Sequence, residues 1–266
     1  AAPFHAWTPD VYTGAPTPVT GFMAAAVKIA AFAAMIRFYT VAAAYLQWDF
    51  LYIFTAVVVL TILVGTFAGL VQDDVKRMLA YSSIAHAGFI LMGILAIQKG
   101  GTGHVLFYTL GYGLATVGAF GVVTLVRGRD ADGNVLGEAT SLRKWAGIGR
   151  TNPWIAASML VFLLSFAGIP LTAGFVGKFV IFSDAIAGGV GWLAIVGLAA
   201  SAVTAFYYFR LVRLMFFTAP GEETVVVKSE GMSAVAIVAC VLGTIALGVF
   251  PGPVLSLLEK IVILIP

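Results

Sequence analysis

Seven long apolar stretches are the feature that most constrains this chain. A transmembrane helix takes about 20 predominantly apolar residues, and each stretch reaches that length with few charged residues or none. Over all 266 residues, 61% are hydrophobic and 10% are charged, whereas soluble domains carry about 25% charged residues. So little charge excludes a soluble enzyme, a disordered chain and a nucleic-acid-binding protein. The stretches cover residues 17–36, 50–72, 79–98, 103–126, 153–187, 191–217 and 231–258.

The sequence therefore predicts an all-α, polytopic membrane protein, with seven transmembrane helices over residues 17–266 and a loop over residues 1–16. The stretch 153–187 is too long for one straight crossing at about 1.5 Å per residue. Pro170 within it removes a backbone donor, so we predict a broken helix near Gly168–Pro170. Broken helices in a bilayer are buried in protein or line a hydrated cavity. Since the chain does not begin with Met, we expect it to begin inside a larger polypeptide.

Positive charges divide unequally if successive loops alternate between the two sides of the membrane. The positive-inside rule makes the richer side cytoplasmic, which puts the C-terminus on the opposite side. The richer side collects Lys76, Arg77, Arg127, Arg129, Arg143, Lys144, Arg150, Arg210, Arg213 and Lys228, and the other side has Arg37, Lys99 and Lys260.

Two further lysines lie inside predicted spans. Lys28 is near the middle of the first span, and Lys178 follows Pro170 by eight residues. A charge at that depth costs about 2.5–3.5 kcal/mol on insertion scales, and a buried lysine can exchange its proton where an arginine stays charged. We interpret both lysines as parts of a proton or ion path. The alternatives are a structural pairing with a carboxylate for Lys28 and a membrane-boundary position for Lys178.

Histidine is the third candidate type, because it gains and loses a proton near neutral pH. His86 follows Tyr81, Ser82 and Ser83 in the third span, and we predict that it relays protons, although a hydrogen-bonded core histidine is the alternative. His104 is near a span end and is predicted to be interfacial. Asp184 is either interfacial or a proton exit, and the sequence does not decide between the two.

The sequence does not contain the residues that several other functions require. No glycine-rich phosphate loop with its Lys and Ser/Thr is present, and Cys240 is the single cysteine, which excludes a cysteine-ligated iron–sulfur cluster. The three histidines are scattered along the chain. We therefore expect no bound cofactor or metal. Asp73 and Asp74 precede Lys76 and Arg77, which predicts a solvated turn and a helix start.

Three motifs resemble the antiporter-like membrane subunits of respiratory complex I. They read PFHAWTPDVYTGAPTPV at residues 3–19, QDDVKRMLAYSSIAHAGF at 72–89 and AGIPLTAGFVGKF at 167–179. Within that family the chain is most similar to the subunit N branch of bacterial NADH–quinone oxidoreductase. Lys178 supports this choice, because the sister subunit M typically has a glutamate there.

The resemblance implies a fourteen-helix fold of two inverted five-helix repeats, of which this chain would supply helices eight to fourteen. Lys28 would lie on the eighth helix, His86 on the tenth and Lys178 on the broken twelfth. A glutamate and a lysine of the first half would precede Ala1. The implied function is proton translocation in the bacterial inner membrane, among the other membrane subunits of complex I and the lipid bilayer. NADH, FMN, iron–sulfur clusters and quinone would be used elsewhere in the complex.

Other functions remain open at this point. The nearest alternative is a subunit of a multisubunit sodium/proton antiporter or of a membrane-bound hydrogenase. A structural scaffold that conducts nothing gains no benefit from buried lysines such as Lys28 and Lys178. A membrane transferase would need a carboxylate or metal constellation that the sequence does not contain.

Overall fold

The computed structural model describes residues 1–42, 47–97, 101–221, 224–227 and 231–263. Two π-helical turns, Met23–Val27 and Phe38–Ala42, continue the helices that precede them, so that Thr17–Ala42 forms one span. The α-helices are α1 (Trp7–Gly14), α2 (Thr17–Phe22), α3 (Lys28–Arg37), α4 (Gln47–Leu70), α5 (Val75–Leu95), α6 (Thr102–Leu125), α7 (Ile148–Thr151), α8 (Pro153–Ala167), α9 (Ala173–Ala187), α10 (Gly191–Phe217), α11 (Met232–Val249) and α12 (Gly252–Ile263).

Six spans in the described part of the chain are long and apolar enough to cross a membrane. This confirms the predicted class, an all-α polytopic membrane protein. The six are Thr17–Ala42, Leu51–Leu70, α5, α6, α10 and α11. The predicted stretch 79–98 corresponds to α5, which begins earlier because Asp74 caps it: the Asp74 carboxylate accepts a hydrogen bond from the Arg77 amide. Residue 98 lies outside the described ranges.

The predicted break of the fifth stretch is confirmed. Helix α8 ends at Ala167, and α9 begins at Ala173. Gly168 takes the left-handed conformation, with φ 82°, that closes helix ends. The amides of Gly168 and Ile169 donate to the carbonyl groups of Ser165 and Leu164, which is the Schellman pattern. Pro170 then prevents the helix from continuing.

The first and last predicted segments need correction. Residues 1–16 are not only a loop, because α1 occupies half of them. Pro9 lies in the first turn of α1, where its missing amide costs nothing, and Asp10 follows it. The stretch 231–258 is not one helix, because α11 ends at Val249 and α12 begins after Pro251.

The loops 127–152 and 218–230 contain a small antiparallel sheet that the apolar pattern does not reveal. Its strands β1 (Val126–Arg129), β2 (Val135–Glu138) and β3 (Thr224–Val226) have the order β2–β1–β3. Strand β1 continues directly from α6, and its Val126 pairs with Val226. The sheet therefore joins the loops at one end of the bundle, which we call the sheet end. The N-terminus of α6 lies at the opposite end.

Helix α5 is the most deeply enclosed element of the bundle. Almost all of its residues are buried, including the polar Ser82, Ser83 and His86. It packs on α4 along one side and on α6, α9 and α10 along others. Polar groups placed on α5 therefore have to find their partners inside the protein.

Substitution of Ser165 tests which contacts stabilise the break between α8 and α9. Its buried Oγ, on α8, accepts a hydrogen bond of 3.1 Å from the Gly174 amide in the first turn of α9. We predict that Ser165→Ala lowers the free energy of unfolding by about 1–3 kcal/mol, because a buried amide loses its partner. The full-length protein would be purified in detergent, and its thermal unfolding midpoint measured.

Ser158→Ala is the matched control on the same helix. Ser158 is partly exposed, and its Oγ donates to the Trp154 carbonyl of the preceding turn. Equal unfolding midpoints for the two variants would contradict the assigned role of Ser165.

Candidate functional site

The three predicted site residues lie on three helices around the middle of the bundle. Lys28 is the first residue of α3, His86 lies in α5 and Lys178 lies in α9. His86 and Lys178 are 1% and 5% exposed, and Lys28 is half-buried. All three find polar partners on neighbouring helices, as the cost of a polar group in hydrocarbon requires.

Lys28 is bound by neutral groups. Its Nζ donates to the Ser83 carbonyl oxygen at 2.8 Å and also contacts the Ser83 hydroxyl. The same Nζ lies 4.4 Å from the centre of the Tyr112 ring. The π-helical turn Met23–Val27 ends immediately before Lys28, and such turns commonly re-aim side chains at functional sites.

His86 has a tyrosine hydroxyl at each ring nitrogen. Nδ1 shares a 2.7 Å hydrogen bond with the Tyr108 hydroxyl, and Nε2 lies 3.3 Å from the Tyr208 hydroxyl. Tyr208 in turn shares a hydrogen bond with Ser82, one turn before His86 on α5. Because hydroxyl groups both donate and accept, this arrangement suits either neutral tautomer of the imidazole.

Lys178 binds the end of the helix that precedes its own. Its Nζ donates to the carbonyl oxygens of Phe166 at 2.7 Å and Ala167 at 3.2 Å, the last residues of α8. It also donates to the Ser201 hydroxyl of α10 at 2.7 Å. The C-terminal carbonyl groups of a helix lack helical partners, so Lys178 satisfies groups that the break leaves free.

Both lysines therefore have the same kind of surroundings. Each contacts a serine hydroxyl and backbone carbonyl groups, Lys28 through Ser83 and Lys178 through Ser201. Within the described ranges, neither lysine forms an ion pair with a carboxylate. The carboxylate that the alternative for Lys28 requires is therefore not found among the described residues.

Aromatic rings separate the two ends of this row. The Tyr112 ring lies 4.7 Å from the His86 ring, which brings Lys28 and His86 to the same tyrosine. On the other side, the rings of Phe89 and Phe166 lie 5.7 and 5.6 Å from His86. Lys178 Nζ is 5.1 Å from the Phe89 ring. The three predicted residues are thus in one row, and the Phe89 ring contacts both His86 and Lys178.

Sequence reasoning missed the tyrosines and Ser201. Tyr108 and Tyr112 are four residues apart, on one face of α6, and both are buried. That spacing within an uncharged span was a usable signal. Tyr208 and Ser201 carry no comparable signal, because their partners lie far away in the sequence.

His104 and Asp184, the two residues placed near span ends, contact each other. His104 Nδ1 lies 2.7 Å from Asp184 Oδ2, and His104 Nε2 lies 3.9 Å from Glu259 Oε1. The pair joins α6 to α9, near the end of the bundle opposite the sheet end. Its side chains are partly exposed, and the interfacial position of His104 stays a prediction.

At the sheet end, Lys76 is a buried cation with a carboxylate partner. It is 2% exposed and lies 3.3 Å from Glu138 of β2, which also binds the Thr17 hydroxyl. This contact fixes the sheet to the starts of α2 and α5.

Comparison with known proteins gives consistent matches over nearly the whole chain. Residues 1–204 match the family model described as NADH:quinone oxidoreductase/Mrp antiporter, transmembrane. A curated relative from Beutenbergia cavernae, NADH-quinone oxidoreductase subunit N, is 56% identical over 265 residues, which are 98% of this chain and 50% of the relative.

Two solved structures extend the comparison. A chain of respiratory complex I from Thermus thermophilus is 38% identical, with a TM-score of 0.81, over 96% of this chain and 54% of that chain. A chain of an archaeal membrane-bound sulfane sulfur reductase is 28% identical, with a TM-score of 0.82, over 98% of this chain and 52% of that chain. The chain spans about half the length of the curated relatives that it matches.

The contact between Tyr108 and His86 can be tested by removing one oxygen. We predict that Tyr108→Phe lowers the free energy of unfolding by about 1–3 kcal/mol, because a buried ring nitrogen loses its partner. The thermal unfolding midpoint of the full-length protein in detergent would measure this effect. Tyr52→Phe is the control, since Tyr52 is 78% exposed. A Tyr108→Phe variant as stable as the control would show that the hydroxyl does not hold His86.

Proposed function

Since the chain belongs to the NADH:quinone oxidoreductase/Mrp antiporter transmembrane family, we propose that it is part of a proton-translocating membrane subunit of NADH–quinone oxidoreductase. The relative from Beutenbergia cavernae supports this choice, because more than half of the aligned residues are identical and it carries the name of subunit N. The observation that carries the proposal is the pair of buried lysines, Lys28 and Lys178, each held by neutral partners.

Neutral partners allow a lysine to exist in either protonation state. An ammonium group donates three hydrogen bonds, whereas an amine donates two and accepts one. The hydroxyls of Ser83 and Ser201 fit both forms, because a hydroxyl accepts from an ammonium and donates to an amine. A carboxylate partner would instead favour the charged form. Protons therefore bind to Lys28 and Lys178 and leave them again.

His86 relays protons between the lysines. A proton taken up at one ring nitrogen releases the proton at the other, and Tyr108 and Tyr208 bind the two nitrogens. The Phe89 ring contacts both the His86 ring and Lys178 Nζ, so transfer from His86 to Lys178 depends on movement of this ring or on water that enters beside it.

Redox chemistry is assigned to other subunits. In this proposal the chain binds no cofactor, and NADH, FMN, iron–sulfur clusters and quinone react elsewhere in the complex. Other membrane subunits of the complex are its partners, and the bacterial inner membrane is its location. The excess of Lys and Arg makes the sheet end cytoplasmic and puts the C-terminus on the opposite side.

A sodium/proton antiporter or a related respiratory complex is the second candidate. The matching family model includes Mrp antiporters, and the archaeal sulfane sulfur reductase shares the fold. Proton uptake by vesicles that contain the full-length protein separates these possibilities. Uptake driven by NADH oxidation in sodium-free buffer supports the first proposal, and uptake that requires a sodium gradient supports the second.

Substitution of Lys28 tests whether it carries protons. Arginine keeps the positive charge but stays protonated. We therefore predict that Lys28→Arg slows proton uptake about as severely as Lys28→Ala, and that quinone reduction slows with it if the two steps are tightly coupled. Both rates would be measured in membrane vesicles, after assembly of the complex has been checked.

Lys144 offers matched controls, because it lies at the sheet end outside this row. Lys144→Arg and Lys144→Ala should leave both rates near those of the wild type. Near-normal proton uptake by Lys28→Arg would show that Lys28 supplies only a fixed positive charge and does not carry protons.

A further inference from the structure

A histidine and two carboxylates meet at the end of the bundle opposite the sheet end. His104 lies in the first turn of α6, Asp184 lies in the last turn of α9 and Glu259 lies in α12. Asp184 Oδ2 is 2.7 Å from His104 Nδ1, and Glu259 Oε1 is 3.9 Å from His104 Nε2. In the described part of the chain, these two carboxylates are the charged groups in contact with His104.

The three side chains become more accessible in order. Asp184 is 18% exposed, His104 is 25% exposed and Glu259 is 58% exposed. The 3.9 Å separation between His104 and Glu259 is too long for a direct hydrogen bond and suits a bridging water. The series therefore runs from a sheltered carboxylate, through an imidazole, to a carboxylate that solvent reaches.

The backbone brings these groups together tightly. A side chain at Gly101 would place its Cβ 2.7 Å from Asp184 Oδ2. The glycine thus lets α9 approach the start of α6 closely enough for the His104–Asp184 bond.

Both inner members share helices with the row of the proposed proton path. His104 and Tyr108 are four residues apart on α6, so they lie on the same face one turn apart. Tyr108 binds His86. Asp184 follows Lys178 on α9 by six residues, or about 9 Å along the axis. The cluster therefore lies between that row and the aqueous phase at this end.

We infer that His104, Asp184 and Glu259 form the proton-exchange site of the second half of the path, an inference that rests on the proposed function. A proton that arrives at one imidazole nitrogen leaves a proton free to depart from the other. Asp184 orients the ring through Nδ1, and Glu259 exchanges protons with water near Nε2. Each transfer leaves the imidazole neutral but in the opposite tautomer, so the ring rotates or exchanges protons with its neighbours before the next transfer, and the same groups serve either direction.

Chemical rescue distinguishes this role from a structural ion pair. Full-length protein with His104→Ala would be assembled in its complex in inverted membrane vesicles. Membrane potential, followed with a voltage-sensitive dye during NADH oxidation, and quinone reduction would be measured. We expect both rates to fall roughly a hundredfold, the lower end of the range for a lost proton-transfer group, and imidazole to restore much of the loss. Pyrazole has nearly the same shape but is a much weaker base, and it should restore little.

Two further variants make the result decisive. Thr102→Ala shortens a side chain in the same turn of α6 and should behave as the wild type. Lys178→Ala tests the proposed function itself. If Lys178→Ala stops charge movement while His104→Ala does not slow it, the exchange site is wrong and the proposed function stands. A loss in His104→Ala that imidazole leaves unchanged also overturns the exchange site. Normal charge movement by Lys178→Ala overturns both proposals.

Discussion

The interruption between α8 and α9 depends on Lys178, because this side chain binds the last carbonyl groups of a helix to which it does not belong. Backbone groups without partners cost several kcal/mol in a bilayer, and the C-terminus of α8 also carries the negative end of the helix dipole. Lys178 supplies hydrogen-bond donors to Phe166 and Ala167, while Ser165 binds the first turn of α9. The residue proposed to carry protons is therefore also part of what allows the helix to break.

Features with a local cause were predictable from the sequence. The spans follow from hydrophobicity, and the break follows from Pro170 and the glycine before it. The small sheet and α1 were not predictable in this way. The strands have three or four residues each. Strands β1 and β2 pair across a short turn, and β3 pairs with β1 from about a hundred residues further along the chain. The break at Pro251 was available in the sequence, but the uninterrupted apolar pattern around it favoured a single helix.

The residues of the candidate site also divide into those that the sequence indicates and those that it does not. Lys28, His86 and Lys178 stand out because a polar group inside a span is costly, so their burial among polar partners could be predicted. Most of their partners could not, because serine and tyrosine are inexpensive in a span; among them only the four-residue spacing of Tyr108 and Tyr112 on α6 gave a signal. Tyr208 is 122 residues from His86. Asp184 is 80 residues from His104, and only the packing of α9 against α6 decides that the two residues meet.

The arrangement also bears on leakage under the proposed function. A continuous chain of hydrogen bonds across the membrane would let protons run back down a gradient. Hydroxyl and imidazole groups connect the surroundings of His86 as far as Ser82 and Tyr108, whereas toward Lys178 the Phe89 ring contacts both the His86 ring and Lys178 Nζ. An aromatic ring offers no proton acceptor of useful strength, so this ring interrupts the row of proton-binding side chains. In the proposed path, control of transfer between His86 and Lys178 then belongs to the position of Phe89, and the lysines need only bind and release.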